Sequence, residues 1–424
     1  MRFHRITHDL APPGARRVPM VLIGLACSVL LATVFDTWVI SQIPILRTMA
    51  GVLGVVLAIC WMLYRIRGIQ VRRGAMIWML VLLVTIIYVD LLRYLDTGHL
   101  ALANSMQWIQ PILFGLILLD LSRDDRAAWY LFNSVLLSIA FLVFMALFGG
   151  IEEGIRSGSD LMNLNAQSYY FGLMSIALYV FVVERWPKFT PLNIVIGIAM
   201  IIMVLMMLRT GSRGGVAAAL TGFAVATWLL MRSRNMSAYI SLIPFMMAAG
   251  VLLVLSSDAA VRWSDTLSGE DYGYRDVIWA AAIEMVRESP WLGHGGGFVA
   301  DLGDQTRGRN TTTHNQYLML LIGYGLVGLI IWLSIMGAVI RRCWRHRRHP
   351  MAVALLAMIA CSLVYGMAAD LTFKRYFWVI VALAANIDII VSTYPTAGHL
   401  REAQYRRDSQ VLSSNSRMTS SPLR

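Results

Sequence analysis

The segment Leu208-Arg209-Thr210-Gly211-Ser212-Arg213-Gly214-Gly215 sets two guanidinium groups and two hydroxyls in a short turn between two apolar runs. The second run starts there as a helix, so backbone N–H groups and the positive end of a helix dipole converge on the turn. Such a turn can cradle a diphosphate at a membrane surface, with Arg213 as the central cation and Arg209 and Ser212 as further contacts. The alternative for Arg213 is an interfacial arginine snorkelling to lipid head groups. Much later in the chain, Thr313-His314-Asn315-Gln316-Tyr317-Leu318 opens another apolar run. A neutral imidazole is the usual side chain for taking a proton near pH 7, and Asn315 beside it could orient a sugar hydroxyl or a phosphate. The plainer alternative for His314 is a structural histidine at a membrane interface.

The elements that must position these groups are membrane helices. A hydrophobic fraction of 58% with 14% charged residues is too apolar for a water-soluble chain of 424 residues, as is a mean hydropathy of +0.64. The apolar residues come in runs of about 17–25, the length that crosses a hydrocarbon core as a helix. The period-2 alternation of an outer-membrane barrel is absent. The fold class is therefore all-α: a polytopic integral membrane protein. Twelve transmembrane helices are expected at roughly 20–35, 43–63, 75–92, 101–121, 129–149, 168–184, 192–208, 214–231, 239–256, 314–340, 352–369 and 373–392. The basic stretch before Met20 has a signal-peptide look, but without a convincing small-residue cleavage pattern it reads as the lead-in to an uncleaved first span. Cys27, Cys60 and Cys361 lie in apolar runs and Cys343 in a basic loop, so no disulfide framework is indicated.

Charge fixes the orientation. With both termini cytoplasmic, the inner segments hold 24 of the 36 Lys and Arg residues, including the Arg341–Arg348 run, in line with the positive-inside rule. The net charge of +12 is thus mainly a topology signal, and no nucleic-acid partner is expected. The organisation that follows is a cytoplasmic segment 1–19, spans one to nine over 20–256, a long outer loop 257–313, spans ten to twelve over 314–393, and a disordered cytoplasmic tail 394–424 rich in Ser and Arg.

The loop between spans nine and ten is the one large outer segment. It is long enough for a lid with its own short helices, and Tyr274–Ser289 reads as one: Val277, Ile278, Ala281, Ala282, Met285 and Val286 share a face, and Pro290 stops it. Such a helix could lie along the membrane surface or simply close the bundle. Seven of the twelve outer basic residues are Arg209, Arg213, Arg262, Arg275, Arg287, Arg307 and Arg309. The loop's nine acids outnumber its five arginines, leaving it at −4. Anion binding must therefore come from individual arginines aimed at one spot; for Arg262, Arg287, Arg307 and Arg309 the alternative is pairing with those acids. Gly293-His294-Gly295-Gly296-Gly297 lacks the Lys-Ser/Thr of a phosphate-binding loop and reads as a turn. Of the histidines, only His99, His294 and His314 fall outside. Asp370, Lys374 and Arg375 flank the last outer turn, where they could complete an anion pocket or form an interfacial ion-pair cluster.

Together these pieces resemble the Wzy_C superfamily of bacterial membrane glycan-transfer proteins, which includes O-antigen ligases and polymerases and protein O-oligosaccharyltransferases. The matching motifs are Thr210–Gly215, Arg275-Asp276-Val277-Ile278-Trp279, Ser289-Pro290-Trp291-Leu292-Gly293-His294-Gly295, His314–Leu318 and Gly325-Leu326-Val327-Gly328. Their order, spacing and side of the membrane carry the resemblance, which covers roughly 195–340. It implies transfer of a glycan from undecaprenyl diphosphate, at the periplasmic face of the inner membrane, to an acceptor hydroxyl. For a ligase that acceptor is a sugar of lipid A–core. Membrane lipids surround the protein, no nucleotide is needed, and no cofactor or metal is expected.

On that resemblance Arg213 and Arg275 stabilise the diphosphate as the glycosidic bond breaks. Arginine suits because its planar fork pairs with phosphate oxygens and stays charged. His314 is the base, and direct attack inverts the anomeric centre. Arg209, Ser212, Asn315, Arg307, Arg309, Lys374 and Arg375 are the expected substrate contacts. A polymerase would use the same donor and extend a glycan on a second carrier; twelve spans and one dominant outer loop favour a ligase. A transporter would place ionisable residues mid-span, whereas Asp90, Glu184 and Asp388 fall near span ends.

Overall fold

The computed structural model describes residues 18–36, 44–65, 74–98, 102–148, 164–185, 190–210, 212–233, 275–305, 312–372 and 374–393. All regular structure among them is helical: α1 Met20–Asp36, α2 Pro44–Arg65, α3 Ala75–Thr97, α4 Leu102–Leu121, α5 Asp125–Phe148, α6 Leu164–Arg185, α7 Pro191–Arg209 and α8 Arg213–Ser233. There follow α9 Arg275–Glu288, a 3-10 turn Gly295–Gly297, α10 Phe298–Gln305, α11 Gln316–Arg345, α12 Pro350–Tyr365, α13 Arg375–Ala385 and α14 Ile387–Thr393. Among the described residues, α3, α11 and most of α6, α7 and α8 are long and apolar enough to cross a membrane, and α1, α2, α4, α12 and α13 contain shorter apolar helices. The expected ninth span, residues 1–17, the tail, and residues 257–274 and 306–311 of the expected outer loop lie outside the described residues.

Local chemistry sets the helix starts. Thr190 accepts the N–H of Asn193 ahead of Pro191, and His349 accepts the N–H of Met351 ahead of Pro350, the side-chain cap and first-turn proline that begin a helix without an orphaned donor. The apolar helices α12 and α13 are buried over most of their length, as expected for helices that are hydrophobic all round. Around them, α12 packs on α8 and α6, α13 on α4, and α11 on α3 and α13.

The two ends of the bundle differ. At one end Asp120, 1% exposed, accepts hydrogen bonds from Trp61 Nε1 at 2.9 Å and Arg65 Nε at 2.6 Å. The Val18 N–H donates to Asp124 at 2.9 Å, and Asp388 pairs with Arg342 and His346. These arginines belong to the set that charge counting puts on the inner side. The opposite end gathers the starts of α4, α6, α8, α11 and α13, the C-terminal parts of α3, α7 and α12, and all of α9.

The helix α11 is broken at Gly325, whose φ of 63° and ψ of −165° are not helical. A Cβ there would run into the backbone of Trp291, so only glycine fits. The donors freed by the break are taken by the turn after α9: Leu326 N–H donates to Pro290 O at 2.8 Å and Val327 N–H to Trp291 O at 3.2 Å, while Ile322 O accepts from His294 N–H at 2.8 Å. The turn after α9 thus completes the hydrogen bonding of α11.

Candidate active site

The expected diphosphate turn begins where α7 ends. Thr210 and Ser212 are buried, and Thr210 Oγ1 donates to Met207 O at 2.6 Å while accepting Ser212 N–H at 3.2 Å. Ser212 Oγ donates to Asn165 Oδ1 at 2.7 Å and accepts Gly215 N–H at 3.3 Å. It acts as the cap of α8, so the hydroxyl expected to hold substrate is engaged in starting the helix. Arg213 follows as the first helical residue, half-buried, with no ion-pair partner among the described residues. Only the backbone of Arg209 is described, at the end of α7.

The turn is tied to the connection between α12 and α13. A Cβ on Gly214 would lie 2.5 Å from that of Ala368, and one on Gly215 would strike Ser168. That same connection holds the start of α11: Gln316 Oε1 accepts Leu371 N–H at 2.7 Å and Thr372 N–H at 2.8 Å, and Gln316 N–H donates to Gly366 O at 2.7 Å. Gln316, wholly buried, ties the start of α11 to that connection through these three hydrogen bonds, and its sequence setting at the head of an apolar run gave no sign of it.

His314 lies two residues before α11 and is the one non-glycine residue with positive φ among the described residues, at 49°. A left-handed backbone at a histidine costs about 1–3 kcal/mol and persists where the surroundings impose it, commonly at functional sites. Here they impose it from both sides. Trp279 Nε1 of α9 donates to Thr313 O at 3.0 Å, and Asn315 Oδ1 accepts the N–H groups of Tyr317 at 3.0 Å and Leu318 at 3.2 Å. Asn315, expected to orient substrate, therefore spends its oxygen capping α11. The His314 ring is half-buried, with Nε2 3.4 Å from Thr312 Oγ1.

Charge gathers at this ring. Burial, then Arg275, then Lys374 lower the His314 pKa from its ordinary 6.5. Arg275 acts on the ring from the first position of α9, and Lys374 from the position before α13, both through their charge. Arg275, like Arg213, has no ion-pair partner among the described residues. Asp370 stands beside Lys374; burial pushes its carboxyl up to about 6 against the opposing pull of that ammonium, and its Oδ1 is buried with no hydrogen-bond partner among the described residues. Two nearby cations can thus keep the imidazole neutral, an arrangement for drawing a proton off a hydroxyl beside an anion.

Of the residues expected from sequence, His314, Arg275 and Lys374 are brought together, and Arg213 stands at the same end through the Gly214–Ala368 contact. Arg375 opens α13. Arg307 and Arg309 lie outside the described residues. His294, read as part of a plain turn, has its Nε2 2.8 Å from Met285 O. Among the described residues no three His, Cys, Asp or Glu side chains gather as a metal site.

Comparison with known proteins agrees with the motif reading. Residues 198–333 match the family Wzy_C, described as O-antigen ligase. The chain is also 27% identical over 256 residues to an O-antigen ligase of Pseudomonas aeruginosa, covering 60% of this chain and 59% of that protein. The family resemblance read from the motifs is borne out. The matched segment runs from within α7, through the Thr210–Gly215 turn and α9, to α11.

Proposed function

We propose, from the premise that residues 198–333 match the Wzy_C O-antigen ligases, that this protein is an O-antigen ligase of the inner membrane. It transfers a glycan from undecaprenyl diphosphate to a hydroxyl of lipid A–core at the periplasmic face. The observation that carries the reading is His314, held in a left-handed backbone with its pKa lowered by burial and by Arg275 and Lys374.

In this mechanism His314 accepts the proton of the acceptor hydroxyl. The acceptor oxygen forms its bond to the anomeric carbon as the bond from that carbon to the diphosphate oxygen breaks. The electron pair leaves with the lipid diphosphate, and the anomeric centre inverts. The growing negative charge is met by Arg275 and Arg213, preset donors that need no rearrangement as the bond breaks, with Lys374 and Arg375 adding positive potential. The positive-inside count supports an outward-facing position for this end.

Reconstitution with a lipid-linked glycan and purified lipid A–core tests the reading. Glycan on the core supports it. Longer glycans on the carrier would make the protein a polymerase, and carrier movement without new bonds would make it a transporter.

A further inference from the structure

The sequence passed over the C-terminal part of α3 as the end of a span, yet two of its charged side chains reach across to the lid. Gly296 N–H donates to Asp90 Oδ1 at 2.6 Å. The Arg93 guanidinium donates to His294 O and pairs with Asp301. These contacts join residues about two hundred positions apart. Asp90 is buried, and its second oxygen has no partner among the described residues. A carboxylate left half-satisfied in the interior is costly and calls for a reason beyond packing.

The turn it grips is built for that grip. Gly295 has φ +67° and a Cβ there would sit 2.6 Å from Asp90 Oδ1; a Cβ on Gly297 would sit 2.9 Å from Arg93 Nε. Phe298 and Leu302 of α10 are fully buried, with the Phe298 ring against Trp108 of α4. The turn also completes the broken α11 through Pro290, Trp291 and His294, and the His294 ring donates to Met285 O near the end of α9. So α3, α4, the kink of α11 and the C-terminal end of α9 meet at one joint. From that joint α9 runs fourteen residues to Arg275, about 20 Å at 1.5 Å per residue, and there Trp279 pins it beside His314.

We propose that Asp90 and Arg93 are positioning residues, clamping the Gly295–Gly297 turn so that the lid helix holds Arg275 near His314. The inference rests on the ligase reading only in taking Arg275 and His314 as the working pair. Neither residue of the clamp touches substrate; both act through α9. Loosening the joint lets the helix swing about its Trp279 contact and carries the guanidinium away from the ring. The other charged or titratable groups around His314 stay in place: Lys374 from the α12–α13 connection, Asp370 next to it, and Tyr317 on α11.

The test titrates His314 directly. The purified full-length protein is treated with diethyl pyrocarbonate, which modifies the neutral imidazole, and the rate at the His314 peptide is followed by mass spectrometry against pH. Arg275→Gln is expected to raise the apparent pKa of His314. Arg93→Gln should raise it by at least half as much, and the double variant no further than Arg275→Gln alone. Asp301→Asn, which removes only the partly exposed ion pair, should move it the same way and serves if Arg93→Gln fails to insert. A wild-type titration in Arg93→Gln, or in Asp301→Asn where only that variant inserts, overturns the clamp, as does an Arg275→Gln variant with no shift. Glycan transfer is scored separately, so its absence in the wild type would sink the ligase reading while the titration still judges the clamp.

Discussion

Trp279 Nε1 donates to the carbonyl of Thr313 at 3.0 Å, so the lid helix is fastened to the residue immediately before His314. Arg275 lies one turn earlier on that helix, which puts its guanidinium and the imidazole under a common constraint. Trp279→Phe keeps the ring packing and removes one hydrogen bond, worth about 0.5–1.5 kcal/mol net. Glycan transfer in proteoliposomes should fall by a few-fold up to about tenfold, with unchanged insertion. Full activity would show that the fastening is not needed.

Arg213 opens α8 with its side chain half-buried beside the Ser212 cap. Arg213→Lys retains the charge and loses the planar fork. If the residue grips the diphosphate through paired N–H groups, transfer should drop by about tenfold or more, since charge-assisted hydrogen bonds contribute about 1.5–3 kcal/mol each. A lysine variant as active as the wild type would mean that the site needs only positive potential there.

The lowered pKa of His314 has a signed consequence for rate. Burial, Arg275 and Lys374 all disfavour its protonated form, so the base form persists below the ordinary value of 6.5. The acid limb of kcat/KM should therefore fall below pH 6.5, and Arg275→Gln should move it upward toward that value while lowering the plateau. An acid limb above pH 6.5 in the wild type would contradict the assignment.

Asp370 carries the opposite sign. Its folded pKa, about 6, lies above the ordinary 3.8 because of burial. The stabilising effect of holding it protonated is complete below 3.8 and is lost as pH rises through about 6. Asp370→Asn should accordingly raise the melting temperature at pH 7.5 and leave it nearly unchanged at pH 4. Equal melting temperatures at both pH values would show that the carboxyl is not strained by its site.

Much of this was legible in the sequence, and the reason differs by feature. Long apolar runs announce membrane helices because the bilayer demands them, so α3 was expected over 75–92 and the helix spans Ala75–Thr97, and the lid helix was expected over Tyr274–Ser289 and spans Arg275–Glu288. His314 and Arg213 stood out because each sits where an outer segment meets an apolar run, and Arg275 because it falls in a motif of the resembled family. What the sequence hid depends on contacts between distant segments. The hydroxyl of Ser212 and the oxygen of Asn315 looked available for substrate until their capping bonds were visible. The break at Gly325 is invisible to hydropathy, since the residues on either side remain apolar. Gln316 and the Asp90–Arg93 clamp gain meaning only from partners about fifty and two hundred residues away.

The proposed chemistry turns on His314 taking the proton of the acceptor. The most direct measurement is glycan transfer by His314→Ala in proteoliposomes holding lipid-linked glycan and lipid A–core, alongside a check that the variant inserts and still binds the lipid-linked donor. With His314 as the base, the variant should insert normally, retain donor binding and leave no detectable glycan on the core. Transfer at the wild-type rate would contradict that role.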